Sequence, residues 1–222
     1  MNREKIMTLL KKSLRFLPDK IYIKLYYRFR VGRALNTANP STLNEKMQWL
    51  KFNYRGPLQS IVSDKLLVRD YVAQKIGKEY LIPLLGSWET YDEINFNDLP
   101  NKFVLKCNHD SGGLVLCMDK NKLNYKKTKY KIEKSLKSNF FYIGREYQYK
   151  NINPMIICEQ FISDKGLVPM DYKIYCFNGK PDMILVCKDR FAHQNHRASY
   201  FFFDSNWKFQ PLNKGDENRA DI

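Results

Sequence analysis

The sequence predicts an α+β protein, because helical patterns fill its first half and strand patterns fill its last third. Up to about residue 76, apolar residues recur at helical spacing. Residues 155–162 and 171–188 are instead short apolar runs separated by turn residues. Between these parts, an apolar run at 103–107 leads through Gly112-Gly113 into a second apolar run, which predicts a hairpin. This order differs from the regular strand–helix alternation of a doubly wound sheet.

Length and composition indicate a folded protein with a sizeable core. The chain has 222 residues, of which 44% are hydrophobic and 27% charged, and these fractions exclude a predominantly disordered chain. The 38 basic and 23 acidic residues give a formal net charge of +15. Such a charge favours an anionic partner, namely a nucleotide, nucleic acid, a membrane surface or an acidic glycan. The sign of the charge does not choose among them.

Cysteine and histidine spacing predicts neither a disulfide framework nor a metal site. The five cysteines, at 107, 117, 158, 176 and 187, lie in or beside apolar runs without a Cys-x-x-Cys pair. We therefore expect buried free thiols in a reducing cytosol. His193 and His196 form the only close histidine pair, and no third ligand accompanies them. The sequence also contains no run of about 18 apolar residues and no signal peptide, so we expect a cytoplasmic protein.

Residues 1–33 alternate basic and apolar side chains. Pro18-Asp19 breaks this pattern and predicts two short helices, the second capped by Asp19. One interpretation is an amphipathic segment that lies on an anionic membrane as a peripheral contact. The other is a segment that packs against the following domain and keeps its lysines in water. We favour packing.

Capping signals place three further helices. Thr42 and Glu45 form a capping box that opens a helix ending near residues 55–57. A second helix is predicted over residues 60–76, with Asp64-Lys65 near its start and Gly77 as its stop. The lysine-rich residues 119–139 predict one more helix. No aromatic platform or recognition motif accompanies these lysines, so a solvated helix face is favoured and nucleic-acid binding is not expected.

The Gly112-Gly113 hairpin is the most informative local feature. Lys106 lies near the end of its first strand, just before the turn. Glycines let backbone N–H groups approach an anion without an intervening Cβ, and a nearby ammonium supplies charge. This pattern predicts a phosphate-binding turn. The alternative is a surface hairpin in which the glycines serve only the turn.

The last third predicts an antiparallel sheet. An apolar run at 155–162 carries Glu159 near its end. Strands at 171–177 and 183–188 are joined by Asn178-Gly179, a strong hairpin signal. A further aromatic strand at 200–204 continues the meander.

The order of these features resembles the ATP-grasp fold, and most closely its TupA-like branch, which is found among capsule and cell-surface polysaccharide genes. Four features follow one another: Asp64-Lys65, Lys106 before the glycine turn, Glu159, and Asp171-x-Lys173. The resemblance covers most of the chain from about residue 39. It is carried by six strings, at residues 39–50, 64–69, 80–86, 103–106, 145–149 and 171–173.

The resemblance implies a domain organisation and a cofactor. Two α+β subdomains with antiparallel sheets are expected to enclose a nucleotide cleft. We expect an N-terminal helical segment at 1–58, a first subdomain at 59–150 and part of a second at 151–222. The implied cofactor is ATP, with Mg²⁺ as its usual companion.

The resemblance also implies site residues. Lys65 and Lys106 correspond to the two lysines that ATP-grasp proteins direct at the phosphates, and two ammonium groups offset a triphosphate better than one. The turn at 108–113 corresponds to the flexible phosphate loop, where backbone amides donate. Further binding roles in this loop are implied for His109, Ser111, Gly112 and Gly113.

Three more positions are implied for the adenine and the acceptor side. Glu159 corresponds to the acid that accepts from the adenine amino group, and main-chain groups of Gln160 and Ile162 correspond to those that read the adenine edge. Lys173 corresponds to the lysine of the Asp-x-Lys strand near the phosphates or the acceptor.

The sequence departs from the family pattern near its end. Family members continue through a helix and two strands whose acids are the expected magnesium ligands. Nothing of that kind follows Trp207, and Asp216, Glu217 and Asp221 lie in a polar tail. We expect the C-terminal part to be incomplete and phosphoryl transfer by this chain to be poor, since magnesium bridges the phosphates in such reactions. A truncated reading frame, a shortened chain and a degenerate paralogue all remain open.

The implied function is an ATP-dependent carboxylate–amine ligase of surface-polysaccharide biosynthesis, with an anionic glycan or an amino acid as substrate. A glycosyltransferase is the first alternative, but the sequence lacks an Asp-x-Asp motif and a Rossmann-like alternation. A non-catalytic protein that senses nucleotides or docks peripherally on the inner face of the membrane is the second.

Overall fold

The computed structural model describes residues 16–163, 168–188 and 198–212. His193, His196, the first half of the basic N-terminal segment and the acids of the polar tail therefore lie outside the described residues. Contacts divide the chain after Phe161 into two units. The first unit contains helices and one sheet, and the second contains another sheet. The predicted α+β class is confirmed.

In the described part of the chain, four α-helices precede the first sheet: α1 (Asp19–Val31), α2 (Leu43–Asn53), α3 (Pro57–Ser63) and α4 (Val68–Lys75). The predicted capping box opens α2, because the Thr42 side chain accepts from Glu45 N while the Glu45 carboxylate accepts from Thr42 N. The single helix predicted over 60–76 is wrong. Asp64 divides it into α3 and α4 by accepting hydrogen bonds from the N–H groups of Leu66 and Leu67.

Helix α1 packs onto the first unit through one face. Tyr22, Ile23 and Tyr27 are buried with Leu35, and the Tyr22 hydroxyl donates to the carbonyl of Ile143. The packing interpretation is therefore correct for this face. The predicted Asp19 cap is wrong, because Pro18 is the N-cap and makes no side-chain cap.

Asp19 lies instead in the first turn of α1, where its carboxylate faces two arginines. Its oxygens are 3.6 Å from Arg145 Nε and 3.9 Å from Arg55 Nη2. The Asp19 carboxylate therefore forms tertiary ion pairs and does not cap the helix.

The first sheet is antiparallel, with strand order β1-β4-β2-β3. Its strands are β1 (Leu84–Trp88), β2 (Phe103–Cys107), β3 (Val115–Cys117) and β4 (Ile156–Gln160). Helices α5 (Tyr125–Leu136) and α6 (Phe141–Gly144) follow β3. Short 3₁₀ turns lie at Lys78–Tyr80, Tyr91–Glu93, Phe96–Asp98, Lys120–Lys122 and Tyr147–Tyr149.

One face of this sheet forms the core. Alternate residues of β2 and β4 point to opposite faces, and one set packs with Ile132 of α5. This set comprises Phe103, Leu105, Cys107, Ile156 and Cys158. The strand that contains Glu159, which the sequence analysis grouped with the second subdomain, thus pairs with β1 and β2 of the first unit.

The second unit is an antiparallel meander in the order β5-β6-β7-β8. Its strands are β5 (Asp171–Phe177), β6 (Lys180–Lys188), β7 (Ser199–Asp204) and β8 (Phe209–Gln210). Asn178 and Gly179 join β5 and β6 with φ values of 50° and 77°. Two successive positive φ angles are what a two-residue hairpin of this kind requires, so the predicted turn is confirmed.

All five cysteines are free thiols. Four are buried as predicted, but Cys176 is exposed, because it lies on edge strand β5, where most side chains face solvent. Within the described ranges, no helix combines the length and apolar character that crossing a bilayer requires.

Candidate nucleotide-phosphate site

A charged cluster occupies the face of the first sheet opposite the core. Val104 of β2 lies opposite Glu159 of β4, and Lys106 lies opposite Ile157, so Lys106 and Glu159 are diagonal neighbours on one face. Lys106 Nζ is 2.5 Å from Glu159 Oε2. The residue expected at the phosphates and the acid expected at the adenine are therefore in direct contact.

Arg69 completes this cluster from helix α4. Its Nη1 is 3.3 Å from Glu159 Oε1, and its Nη2 donates to the carbonyl of Ile82 at 2.6 Å. The side chains of Glu159, Arg69 and Lys106 are 8%, 14% and 23% exposed. The carboxylate is thus the most buried member and lies between two cations, of which Lys106 has the most access to solvent.

Arg69 is a member of this cluster to which the sequence pattern assigned no role. Two signals bear on it: Arg69 lies four residues after Lys65, and both belong to one string of the family resemblance. Neither signal predicts that Arg69 contacts Glu159, because that contact depends on which strands lie beside β4.

Lys65 holds the start of the glycine loop. Its ammonium donates to the carbonyls of Cys107 at 2.9 Å and Asn108 at 3.2 Å, and also to the carbonyl of Asp110. Its own N–H donates to the Asn108 carbonyl as well. Burial lowers the pKa of Lys65, although the nearby Asp110 carboxylate opposes this shift. An ammonium has three N–H donors, and here each has a carbonyl acceptor.

Asp64 and Asn108 join the loop to helix α4. While one Asp64 oxygen caps the turn before α4, the other accepts from Asn108 Nδ2 at 3.0 Å. Asn108 Oδ1 accepts from Met155 N at 2.8 Å. Asn108 is buried, so its side chain acts as a polar junction between α4, the loop and the residue before β4.

His109 is buried and faces the protein interior. Its Nδ1 lies 3.2 Å from Asn108 Oδ1, and its Nε2 lies 3.0 Å from the carbonyl of Ser138. Both ring nitrogens are thus occupied within the protein. A phosphate contact from His109 requires that one of these two contacts be released.

The loop tip differs from its base. Ser111 and Gly112 are exposed, and the Gly112 φ of +112° favours glycine. Gly113 is buried, and its N–H donates to an Asp110 carboxylate oxygen. A Cβ on Gly113 would collide with Ser135 Oγ, so this position needs glycine for close approach. The two glycines therefore have different reasons to be there, one conformational and one steric.

The remaining predicted residues lie at the end of β4 and in the second unit. Gln160 closes β4, and its N–H donates to the Pro83 carbonyl. Ile162 is the first residue of the second unit. In that unit Lys173 is exposed on β5 opposite Leu185. The structure thus brings Lys65, Lys106, Glu159 and the loop together within the first unit.

A separate cavity of about 320 Å³ lies between α2, α3 and residues 146–148, and shares no lining residue with the charged cluster. At its edge Lys51 Nζ donates to the Gly144 carbonyl at 2.8 Å. Burial lowers the pKa of Lys51, while Glu146 opposes the shift. The cavity takes no part in the arrangement around Glu159.

One of three comparisons with known proteins gave a match. A family model described as TupA-like ATPgrasp matches residues 45–220, which is more than half of the chain. Neither the curated proteins nor the solved structures gave a match.

Proposed function

Because this chain belongs to the TupA-like ATP-grasp family, we propose that it is an ATP-dependent carboxylate–amine ligase of cell-surface polysaccharide biosynthesis. ATP-grasp proteins are nucleotide-binding proteins, which is the property that the family carries to this chain. In this proposal the carboxylate substrate is on an anionic glycan, and the amine substrate is an amino acid. The protein acts in the cytoplasm at the inner face of the membrane. The division into segments 1–58, 59–150 and 151–222 belongs to the same proposal.

The observation that carries the proposal is the Lys106–Glu159–Arg69 cluster beside the glycine loop. Lys106 uses one N–H donor on Glu159, which leaves two donors on an ammonium that water can reach. Glu159 fixes the direction of this ammonium, and Arg69 adds a second positive charge, so one carboxylate faces two cations and the cluster keeps a net positive charge. A phosphate at Lys106 therefore meets a cation that is already oriented, and charge-assisted hydrogen bonds are the strong ones.

Lys65 contributes through the loop. Because its three donors are used by loop carbonyls, it draws those carbonyls inward around one cation. Ser111 and Gly112 remain exposed at the tip, where their N–H groups offer donors to an anion. A direct contact from Lys65 to a phosphate, as the resemblance predicts, requires the release of one carbonyl.

In the first step the substrate carboxylate would accept the γ-phosphoryl group of ATP, which gives an acyl phosphate and ADP. In the second step the amine would attack the acyl carbon, displace phosphate and lose a proton to give the amide. Within this reaction the residues of the first unit bind and orient phosphate oxygens. The resemblance implies magnesium as well. Among the described residues, however, no group of three or more His, Cys, Asp or Glu side chains is arranged to hold a metal ion. We therefore assign no magnesium ligand.

The test is the affinity of the full chain for ATP, measured by titration calorimetry in the presence of Mg²⁺. Lys106→Ala should weaken binding by roughly 10- to 100-fold, because it removes a charge-assisted hydrogen bond of about 1.5–3 kcal/mol. Lys102→Ala is the matched control, since it removes the same charge from an exposed position just before the same strand. It should leave the affinity within about twofold, the scale of screened surface charges.

Two results would refute the nucleotide proposal: no ATP binding by the wild-type chain, or equal losses in the two variants. If ATP binds and Lys106→Ala behaves as expected, ligase activity is tested next. Formation of ADP that depends on both a uronic-acid glycan and an amino acid supports the ligase. Turnover of a nucleotide sugar without ATP would instead identify a glycosyltransferase.

A further inference from the structure

Helix α1 carries an exposed apolar row on its solvent side, next to its packed face. At about 100° per residue, positions four apart form a row along a helix. The row consists of Ile21, Leu25 and Phe29, which are between 47% and 54% exposed. The residues that pack α1 onto the rest of the first unit are at most 4% exposed, whereas the row is about half exposed, so this row takes no part in the core.

A cationic row runs directly beside the apolar one. Lys20, Lys24 and Arg28 are each one residue before a member of the apolar row, and all three are exposed. None of them has a carboxylate partner among the described residues. The only acid on α1 is Asp19, and it faces Arg55 and Arg145 instead. The outward side of α1 is therefore half apolar and half cationic, over about 12 Å of helix.

We propose that this outward side of α1 docks on an anionic lipid surface. The apolar row would enter the boundary between headgroups and acyl chains, while the cationic row would meet lipid phosphates. The packed face would keep the helix parallel to the membrane as part of the folded protein. This inference is independent of the nucleotide chemistry, and it joins the two interpretations of the N-terminal segment: one side of α1 packs, and the other docks.

Charge and polarity favour an anionic lipid surface over a second copy of the chain or nucleic acid. A second copy docking through the same face would bring Lys20, Lys24 and Arg28 against themselves, because a two-fold interface is self-complementary. The preceding residues 1–15 are also basic, with five Lys and Arg against one Glu. Nucleic acid would satisfy the cationic row but would leave Ile21, Leu25 and Phe29 without an apolar partner. An anionic bilayer satisfies both rows.

The test is co-sedimentation of the full chain with vesicles of phosphatidylglycerol and phosphatidylcholine, compared with phosphatidylcholine alone. The wild-type chain should bind the anionic vesicles, and binding should weaken with added salt. A triple variant of the cationic row, with Lys20, Lys24 and Arg28 changed to Gln, should lose roughly 100-fold in affinity. A triple variant of the apolar row, with Ser at its three positions, should lose at least about tenfold at unchanged net charge.

The matched control changes Lys126, Lys127 and Lys137 to Gln, which removes the same charge from exposed positions on and next to α5. It should change the affinity by less than about threefold, because these lysines lie on or next to a different helix from the proposed docking surface and exposed charges are screened by salt. Circular dichroism of each variant establishes that the fold is kept. The proposal is wrong if the control weakens binding as much as the cationic-row variant. It is equally wrong if the apolar-row variant binds like wild type, or if the chain self-associates through this face without vesicles.

Discussion

The buried carboxylate of Glu159 provides the sharpest test of the charged cluster. Glu159→Gln keeps the shape of the side chain but removes the negative charge that lies 2.5 Å from Lys106 and 3.3 Å from Arg69. Breaking a buried ion pair from one side costs about 3–5 kcal/mol, because it leaves a buried charge unpaired. Lys106 is partly exposed, so the lower end applies, and we expect about 3 kcal/mol. That is a large share of the 5–15 kcal/mol that stabilises a typical domain.

Urea unfolding followed by circular dichroism measures this loss. With a denaturant slope of about 2 kcal/mol/M, a loss of about 3 kcal/mol lowers the midpoint by about 1.5 M. Asp92→Asn is the matched control. Its ion pair with Lys129 has nearly the same length, 2.6 Å, but the Asp92 side chain is 74% exposed. Water screens such a pair, so the control should shift the midpoint far less.

A second substitution separates electrostatics from simple loss of packing. If Glu159→Gln destabilises the fold because it orphans a cation, then adding Lys106→Met should restore part of the stability. If the loss comes from packing alone, the double variant should be less stable than the single one. Equal midpoint shifts for Glu159→Gln and Asp92→Asn would also refute the reasoning, because burial would then make no difference.

Two further predictions concern the capping box and the thiols. Hydrogen bonds from the Thr42 backbone hold the pKa of Glu45 at about 2, well below its usual value. Its contribution is therefore present above about pH 5 and lost as the pH falls towards 2, so the melting temperatures of wild type and Glu45→Gln should converge there; a constant difference would contradict this. Burial raises the pKa of Cys107 to about 11 and that of Cys158 to about 12, whereas Cys176 is exposed. A chromogenic disulfide reagent should thus show one fast thiol, which Cys176→Ser abolishes; a fast phase that persists in the variant would contradict this.

Local signals explain the parts of the fold that the sequence predicted well. The capping box at Thr42 uses residues three apart, and the turn at Asn178-Gly179 needs only two residues with positive φ. Both are complete within a few residues of chain. The long helix predicted over 60–76 is divided at Asp64, whose carboxylate caps the turn before α4 through local bonds and also binds Asn108 across the fold. The second contact is not visible in the local sequence.

The same distinction between local signals and long-range contacts applies to the candidate site. Lys106 and Glu159 were both named from the order of motifs in the resemblance, but for the phosphates and the adenine respectively; their direct contact on neighbouring strands of one sheet was not predicted. Arg69 was missed, because its contact with Glu159 depends on where α4 lies relative to β4, an interior strand of a sheet whose strand order is not sequential. Strand order and helix position are tertiary properties, and the spacing of residues within one helix does not predict them.

The Asp64-Lys65 pair connects the glycine loop to helix α4 and to the charged cluster, and both of its residues contribute. Asp64 caps the turn that leads into α4, and through Asn108 it also holds the base of the glycine loop. Lys65 then binds the carbonyls of the same loop base. Because α4 carries Arg69, Asp64 fixes the position of the loop relative to the charged cluster. The resemblance assigned no role to Asp64. Within this site, the lysine of the pair shapes the loop, and its aspartate sets where the loop lies relative to Glu159.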